Sequence, residues 1–229
     1  NVGQWNFIMY AKLLTPHFLP VDIKRYLFLD VDLVVNAEIE ELYNFELEGA
    51  IIAACEDIPD CVVHKKRLGL SSEQLYINSG VMLVDLEKWR AKDFSCEELM
   101  KSSNLSFIND QDIISLYFKN EIVTLPIKWN MVTFYYMRNP KIFSKYKDTL
   151  AVNRKYPCIV HFACPIKPWF RDCRHPFAYL YKRYLRMTPW NNYYYPYYEQ
   201  LTKWGRIKKT IRYYMNRINF IKDDLFLVR

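Results

Sequence analysis

Four short apolar runs, separated by polar and helix-like stretches, constrain the fold of this 229-residue chain more than any other feature. They are RYLFLD at 25–30, AIIAAC at 50–55, YINSGVMLVDL at 76–86 and CIVHF at 158–162. Continuous apolar runs of this kind are typical of strands buried on both faces of a sheet. A further strand is predicted at 122–127, and helical spacing predicts helices at 6–15, 38–44, 87–100 and 109–118. Strands that alternate with helices predict an α/β domain with a central sheet.

Two other stretches have a different character. The polar segment 57–75 shows weak periodicity, and we predict a long loop there, of the kind that often serves as a lid. After an aromatic tract at 190–198, residues 200–219 place apolar side chains at three- and four-residue steps, with Lys and Arg between them. No acidic residue interrupts this stretch, so the pattern predicts a basic amphipathic helix.

Charge and cysteine content narrow the class of protein. The net charge of +7 suits nucleic acid, anionic lipid or phosphorylated substrates as partners, and equally suits a protein that is merely soluble. The six cysteines include no pair at CxxC spacing, which argues against a zinc site. Cys55 and Cys158 lie in apolar runs and are predicted to be core thiols. We therefore expect a reducing, cytosolic compartment.

Asp30 and Asp32 follow the first apolar run directly. Alternate residues of an extended chain point the same way, and ligands of open α/β sheets collect beyond the carboxyl ends of strands. Two carboxylates held there repel each other unless a cation lies between them, and Mn²⁺ or Mg²⁺ accepts such oxygen ligands. The alternative is a pair of solvated loop acids.

His161 ends the last apolar run and precedes Lys167 by six residues. Imidazole suits Mn²⁺ better than Mg²⁺, and a lysine offers a point charge to phosphate. The alternative for His161 is a capping or core histidine.

Two polar groups accompany these residues. Asn109 to Asp112 open a predicted helix, where they either cap it or bind sugar hydroxyls. Asn78 and Ser79, followed by Gly80, enter the third apolar run. This small polar triplet permits the close approach of a ligand to the backbone, and a β-bulge is the alternative.

The order of these features resembles glycosyltransferase family 8, the group that contains bacterial lipopolysaccharide galactosyl- and glucosyltransferases, glycogenin and the galactinol synthases. The resemblance runs from about residue 6 to about residue 173 and rests on motifs that are highly specific together. They are YLFLDVDLVV, AACED, YINSGVMLVDLEKWR, NDQDIISLYF, LPIKWN and HFACPIKPW. The resemblance implies a GT-A-type fold, in which helices flank a central mixed sheet. We predict a catalytic domain at 1–175 and an aromatic, basic helical tail at 176–229.

The resemblance also implies roles for individual residues. Asp30, Asp32 and His161 would hold Mn²⁺, with Mg²⁺ as the second choice, and Lys167 would contact phosphate. Asp57, Asn78 and Asp110 match positions that bind the donor sugar, with Ser79 beside them, and Gln111 matches the residue at the reacting face of that sugar. The implied reaction transfers galactose or glucose from a UDP-sugar to a saccharide, with retention of anomeric configuration.

The sequence departs from the family pattern in three ways. Lys12 stands where the family has an arginine, which keeps the charge but loses the bidentate fork, and Cys164 stands where a glycine is usual. We also expect the family's N-terminal strand–helix–strand portion, which holds uracil and ribose, to be missing from this sequence.

The partners expected with this activity are a UDP-hexose and a saccharide or lipid-linked saccharide acceptor of lipopolysaccharide or another surface glycan. We expect no nucleic acid partner. The basic helix predicts that residues 195–219 dock on the anionic inner face of the plasma membrane.

Two other classes of protein share part of the pattern. A phosphohydrolase of the haloacid dehalogenase type also begins with an apolar strand and two acids, and Val34 suits that class. Asp223 and Asp224 lie in the basic tail, however, and the segment HFACPIKPW stays unexplained. The basic helix alone would suit a non-enzymatic, membrane-docking protein.

Overall fold

The computed structural model describes residues 11–57, 61–92, 109–136, 143–198, 202–208 and 210–211. The chain divides into two compact units. The first unit comprises Asn1–Val31 and Glu38–Asn130, and the second comprises Asp32–Ala37 and Met131–Arg229. The predicted domain boundary at residue 175, between a catalytic domain and a tail, does not coincide with the boundary between these two units. The predicted domains stay a prediction.

The first unit is built on a four-stranded mixed sheet with the order β1-β4-β3-β5. Its strands are β1 (Arg25–Leu29), β3 (Ile52–Glu56), β4 (Ile77–Asp85) and β5 (Ile122–Thr124). Strand β4 pairs antiparallel with β1 and β3, and β3 pairs parallel with β5. Eight of the nine residues of β4 are buried, as expected of a central strand covered on both faces.

Helices cover this sheet. They are α1 (Ala11–Phe18), α2 (Glu40–Tyr43), α3 (Cys61–Leu68), α4 (Leu86–Ala91) and α5 (Asp110–Tyr117), with a 3₁₀ turn at Ile127–Trp129. The core joins Leu13 of α1, Trp89 of α4 and Ile113 of α5 to apolar residues of β3 and β4. Because α5 packs directly on the sheet, its first turn has a fixed position relative to β4.

The second unit contains a three-stranded sheet with the order β2-β7-β6. Its elements are β2 (Leu33–Val35), β6 (Met131–Val132), α6 (Lys147–Lys155), β7 (Ile159–His161) and α7 (Ala178–Leu185), with 3₁₀ turns at Thr133–Tyr136 and Ser144–Tyr146. Strand β7 pairs antiparallel with β2, so that His161 lies opposite Leu33, and parallel with β6. These strands are short, and loops connect most of them.

The predicted α/β class and mixed sheet are confirmed, and each predicted strand is present with shifted ends. The strand predicted at 122–127 ends at Thr124, because Pro126 has no N–H to continue a ladder. Helix α1 continues through Pro16 to Phe18, beyond the predicted end at residue 15, because a buried proline near a helix end removes only one hydrogen bond. Residues 6–10 and 93–100 of the predicted helices lie outside the described residues.

The prediction of a loop over 57–75 is wrong in part, because α3 lies within it. Hydrophobic periodicity does not reveal this helix, because Val62 and Val63 are exposed and only Leu68 is buried. One usable signal was Gly69, whose φ of 67° is the left-handed conformation in which helices often end. Residues 58–60 lie outside the described part.

The described part of the predicted tail helix is helical at 203–208 and at 210–211, and the remainder lies outside the described residues. Among described helices, none is long and apolar enough to cross a membrane. Cys55 is a buried free thiol, as predicted, whereas Cys158 is only half-buried.

Candidate active site

Lys12 is the centre of a buried polar cluster in the first unit. Only 8% of the residue is exposed, and its ammonium group lies 2.9 Å from a carboxylate oxygen of Asp110 and 3.3 Å from one of Asp30. It also donates a 3.1 Å hydrogen bond to the hydroxyl of Ser79. A buried ammonium group is costly unless carboxylates compensate its charge. The two carboxylates supply that compensation, and Lys12 in turn fixes their positions.

Ser79 joins β4 to the first turn of α5. Its hydroxyl donates to Asp110 at 2.5 Å, and its backbone N–H donates to the side-chain oxygen of Gln111 at 3.2 Å. Hydroxyl-to-carboxylate bonds of this length are among the stronger ones in proteins. Ser79 is therefore a link between the two elements that carry the candidate catalytic residues.

Asn78 extends the same cluster to the end of β3. Its side-chain amide donates to Asp57 at 3.3 Å, and its oxygen accepts from the amide of Asn130 at 2.8 Å. Asn130 is fully buried and belongs to the LPIKWN motif, for which the sequence analysis predicts no side-chain role. The β-bulge given as the alternative for this segment is present, because Ala54 pairs with Met82 whereas Glu56 pairs with Ile77, so that the additional residues lie on β4 at 78–81.

The first turn of α5 presents three consecutive polar side chains. Asn109 caps the helix, as predicted, by accepting from the N–H of Asp112 at 3.0 Å. Asp110 contacts Lys12 as described above, and the Gln111 amide donates to Asp57 at 3.0 Å. One helix turn thus holds residues of α1, β3 and β4 in a single network.

Asp112 has a role that the sequence did not reveal. It is fully buried and accepts from the Arg67 guanidinium at 2.6 Å and from the Tyr76 hydroxyl at 3.0 Å. Arg67 belongs to α3, so this ion pair ties α3 to the first turn of α5. The run Lys65 to Arg67 resembles a solvated charged patch in the sequence, and no spacing rule identifies its partner.

In the second unit, Asp32 contacts both His161 and Lys167. The imidazole Nε2 of His161 lies 3.2 Å from one carboxylate oxygen of Asp32, and the Lys167 ammonium pairs with the other. Lys167 also donates to the carbonyl of Phe162 at 2.8 Å. Burial alone would raise the pKa of Asp32, but the hydrogen bond and charge of His161, and then those of Lys167, hold that pKa well below its ordinary value. Asp32 is therefore an ionised carboxylate at neutral pH.

Asp30 and Asp32 are separated only by Val31, which is almost fully exposed. Two residues of extended chain span at most about 7 Å, so covalent connection alone keeps the two carboxylates near each other. They follow β1 and precede β2, as the sequence predicted for a pair of acids beyond a strand.

Every predicted site residue lies in a described part of the chain. Contacts connect the members of the first unit into one network: Lys12, Asp30, Asp57, Asn78, Ser79, Asp110 and Gln111. Contacts likewise connect Asp32, His161 and Lys167 of the second unit. The functional roles assigned to these residues stay predictions.

The model of the family described as glycosyl transferase family 8 matches residues 2–173. The chain belongs to glycosyltransferase family 8. This result confirms the predicted family, and the matched region contains every residue of both networks.

Relatives with known names agree with this assignment. The chain is 28% identical over 197 residues to the lipopolysaccharide 1,2-glucosyltransferase of Escherichia coli K12, covering 82% of this chain and 56% of that protein. It is 28% identical over 196 residues to general stress protein A of Bacillus subtilis, covering 80% and 66%. The chain therefore spans between half and two thirds of the length of these relatives.

Solved structures give the fold. The galactosyltransferase LgtC, in complex with donor and acceptor sugar analogues, superposes with a TM-score of 0.66 at 24% identity, covering 81% of this chain and 68% of that one. The bifunctional glycosyltransferase WbbM also gives 0.66, at 22% identity and with coverage of 82% and 37%. These similarities confirm the GT-A-like α/β fold.

Neither alternative class gains support. The family match includes the segment HFACPIKPW, which a phosphohydrolase of the haloacid dehalogenase type leaves unexplained. Buried charges are costly to maintain, and a protein that only docks on membranes would not need the buried networks of the first unit.

Proposed function

We propose that this protein transfers a hexose from a UDP-sugar to a saccharide acceptor, with a divalent metal and with retention of anomeric configuration. The observation that carries the proposal is the buried network around Lys12, in which Ser79, Asp110 and Gln111 meet. Buried polar groups of this density are costly, and sites that bind polar ligands are where proteins retain them.

The proposed metal ligands are Asp30, Asp32 and His161, an Asp–Asp–His set whose side chains can hold a metal ion. Two carboxylates and one imidazole suit Mn²⁺, and Mg²⁺ is the second choice. A divalent ion at these residues supplies positive charge to the departing diphosphate.

Other residues of the chain have the remaining roles in the proposed reaction. Lys167 offers a compact positive charge to phosphate, which stabilises the negative charge that develops on departing UDP. The oxygens of Asp57, Asn78 and Asp110 accept hydrogen bonds from the hydroxyls of the donor sugar. Gln111, whose side chain spans the interval between β4 and Asp57, lies at the reacting face of that sugar.

The acceptor belongs to lipopolysaccharide or to another cell-surface glycan in this proposal, and the donor carries glucose or galactose. The support is that one relative is a lipopolysaccharide 1,2-glucosyltransferase and that LgtC is a galactosyltransferase solved with donor and acceptor sugar analogues. Enzymes that act on such acceptors meet them in the cytosol or at the inner face of a membrane, which is the localisation we propose.

Contact with an anionic membrane surface is a further part of the proposal. In the described part of the tail helix, Trp204 and Ile211 are more than half exposed, and Lys203, Arg206 and Lys208 lie among them. Exposed apolar side chains beside cations are what interfacial helices present to lipid. We expect Trp204→Ala to reduce sedimentation with anionic liposomes; unchanged sedimentation would remove the membrane from the proposal.

The activity is tested by measuring UDP release from a panel of UDP-sugars with Mn²⁺. We expect one UDP-hexose to be turned over, and we expect Asp32→Asn to abolish both turnover and Mn²⁺-dependent UDP binding with little change in fold. The matched control is Asp148→Asn, which alters an exposed acid of α6. Full activity in the Asp32→Asn variant would refute the assignment of the metal ligands.

A further inference from the structure

The loop that carries Lys167 has little regular structure of its own. It leaves β7 after His161, and successive turns follow, in which the N–H of Phe170 donates to the Lys167 carbonyl at 3.0 Å and that of Cys173 donates to the Phe170 carbonyl at 3.2 Å. Ordering such a loop costs conformational entropy unless other parts of the molecule hold it.

The aromatic tract supplies backbone contacts to this loop. The N–H of Arg171 donates to the carbonyl of Pro196 at 2.7 Å, and the N–H of Tyr198 donates to the carboxylate of Asp172 at 2.8 Å. These two bonds, one to a backbone carbonyl and one to a side-chain carboxylate, join stretches that lie about 25 residues apart in sequence.

Aromatic and cationic side chains reinforce the same junction. The half-buried ring of Tyr197 lies between two guanidinium groups, 5.3 Å from that of Arg171 and 4.7 Å from that of Arg206. The ring of Tyr198 packs edge-on against Phe170 at 5.1 Å. Cations over a tyrosine face are attracted by the negative charge of the ring, so each guanidinium holds Tyr197 in place.

We propose that residues 195–198, here called the tyrosine strap, are a positioning element that holds the Lys167 loop in the geometry required to contact the donor phosphates. The position of the loop determines how far the Lys167 ammonium group lies from the phosphates. Small displacements of a charged group weaken its electrostatic effect strongly. The inference rests on the proposed function in one respect, namely that Lys167 contacts phosphate. In this proposal the aromatic tract stabilises another part of the same chain, in addition to any contact that the tail makes with a membrane surface.

The first test measures the strap without any ligand. In the full chain, Tyr197→Leu removes the ring between the two guanidinium groups, whereas the matched control Tyr197→Phe keeps it. We expect amide hydrogen exchange at residues 167–173 to accelerate about fivefold in Tyr197→Leu and to stay at the wild-type rate in Tyr197→Phe. Arg206→Gln, which removes one guanidinium only, should give a smaller acceleration of about twofold. Unchanged exchange in both Tyr197→Leu and Arg206→Gln would overturn the proposal.

The second test measures whether the strap acts through Lys167. The Kd for UDP with Mn²⁺ is compared in the wild type, Tyr197→Leu, Lys167→Ala and the double variant. We expect Tyr197→Leu to weaken binding about fivefold in the wild-type background and to have no further effect once Lys167 is absent. Equal weakening in both backgrounds would show a general structural effect and would overturn the proposal. If Lys167→Ala binds UDP as the wild type does, the phosphate role of Lys167 fails instead, while the exchange rates still report on the strap itself.

Discussion

The two units hold their candidate site residues in different ways. In the first unit, Ser79 and Asp110 belong to a buried strand and to the first turn of a packed helix, and they bond directly to each other. In the second unit, Asp32 precedes one strand of three residues and His161 ends another, and Lys167 lies on a loop that contacts the aromatic tract.

This difference shows that the fold enforces the geometry of the two groups to different degrees. The core of the first unit must pack for the protein to fold, and its site residues are bonded to the elements that form that core. In the second unit, His161 lies in a short three-stranded sheet, and Lys167 depends on a few contacts of its loop. Substitutions in the first network should therefore cost more stability than substitutions in the second.

The largest effect on stability is expected from Asp112→Ala. This change deprives the Arg67 guanidinium and the buried Tyr76 hydroxyl of a carboxylate that both contact. Removing one member of a buried ion pair typically costs 3–5 kcal/mol, and because Arg67 is partly exposed we expect a loss of about 3 kcal/mol in the free energy of unfolding. Urea titration followed by circular dichroism measures it.

The control for this prediction is Glu41→Ala, in the same unit. Glu41 pairs with Lys128 at 2.6 Å, but its side chain is two-thirds exposed, so we expect a loss of less than about 1 kcal/mol. If Asp112→Ala is as mild as Glu41→Ala, the buried contacts of Asp112 do not stabilise the first unit, and the expected contrast between the units loses its support.

The second prediction concerns His175, in the second unit. Its imidazole packs against the rings of Tyr136 and Phe162, and burial lowers its pKa from 6.5 to about 3. Between these two values the unfolded chain binds a proton that the folded chain does not, so stability is complete above the unfolded pKa and falls as the pH drops below it. We expect a loss of about 2 kcal/mol in the free energy of unfolding between pH 7 and pH 5.

His175→Phe isolates this contribution, because it keeps an aromatic ring and removes the titrating group. The free energy of unfolding of the variant, measured by urea titration at pH 7 and at pH 5, should change by clearly less than that of the wild type. The control is His17→Gln, which alters an exposed imidazole and should leave the pH dependence unchanged. A variant as sensitive to pH as the wild type would show that His175 is not the source.

The sequence predicted the elements whose signal is local. Strand β4 was recognisable because a strand buried on both faces is a continuous apolar run, and α5 was recognisable because Asn109 caps an apolar helix pattern. Helix α3 was not, because α3 buries one residue and has no apolar stripe for a periodicity to detect.

The candidate site divides in the same way. The residue types and their order were sufficient to select Asp30, Asp32 and His161 as candidate metal ligands, because the family motifs carry that information, and their binding of a metal stays a prediction. The pairing of individual basic side chains with individual acidic side chains was not predictable. The pairing of Arg67 with Asp112 and the role of Tyr197 both depend on tertiary contacts between distant segments, and no spacing in the sequence encodes them.

The smallest effect on stability, combined with a clear effect on turnover, is expected from Gln111→Ala. The lost contacts are two neutral or singly charged hydrogen bonds of a half-buried amide, so the free energy of unfolding should fall by about 1 kcal/mol or less. If Gln111 lies at the reacting face, its loss lowers kcat about tenfold while the Kd for UDP changes less than about twofold.

Gln74→Ala, which breaks an exposed amide pair with Asn120, is the control and should leave both constants unchanged. Equal losses in turnover and UDP affinity would assign Gln111 to binding alone, and a stability loss as large as that of Asp112→Ala would make it a structural member of the first network.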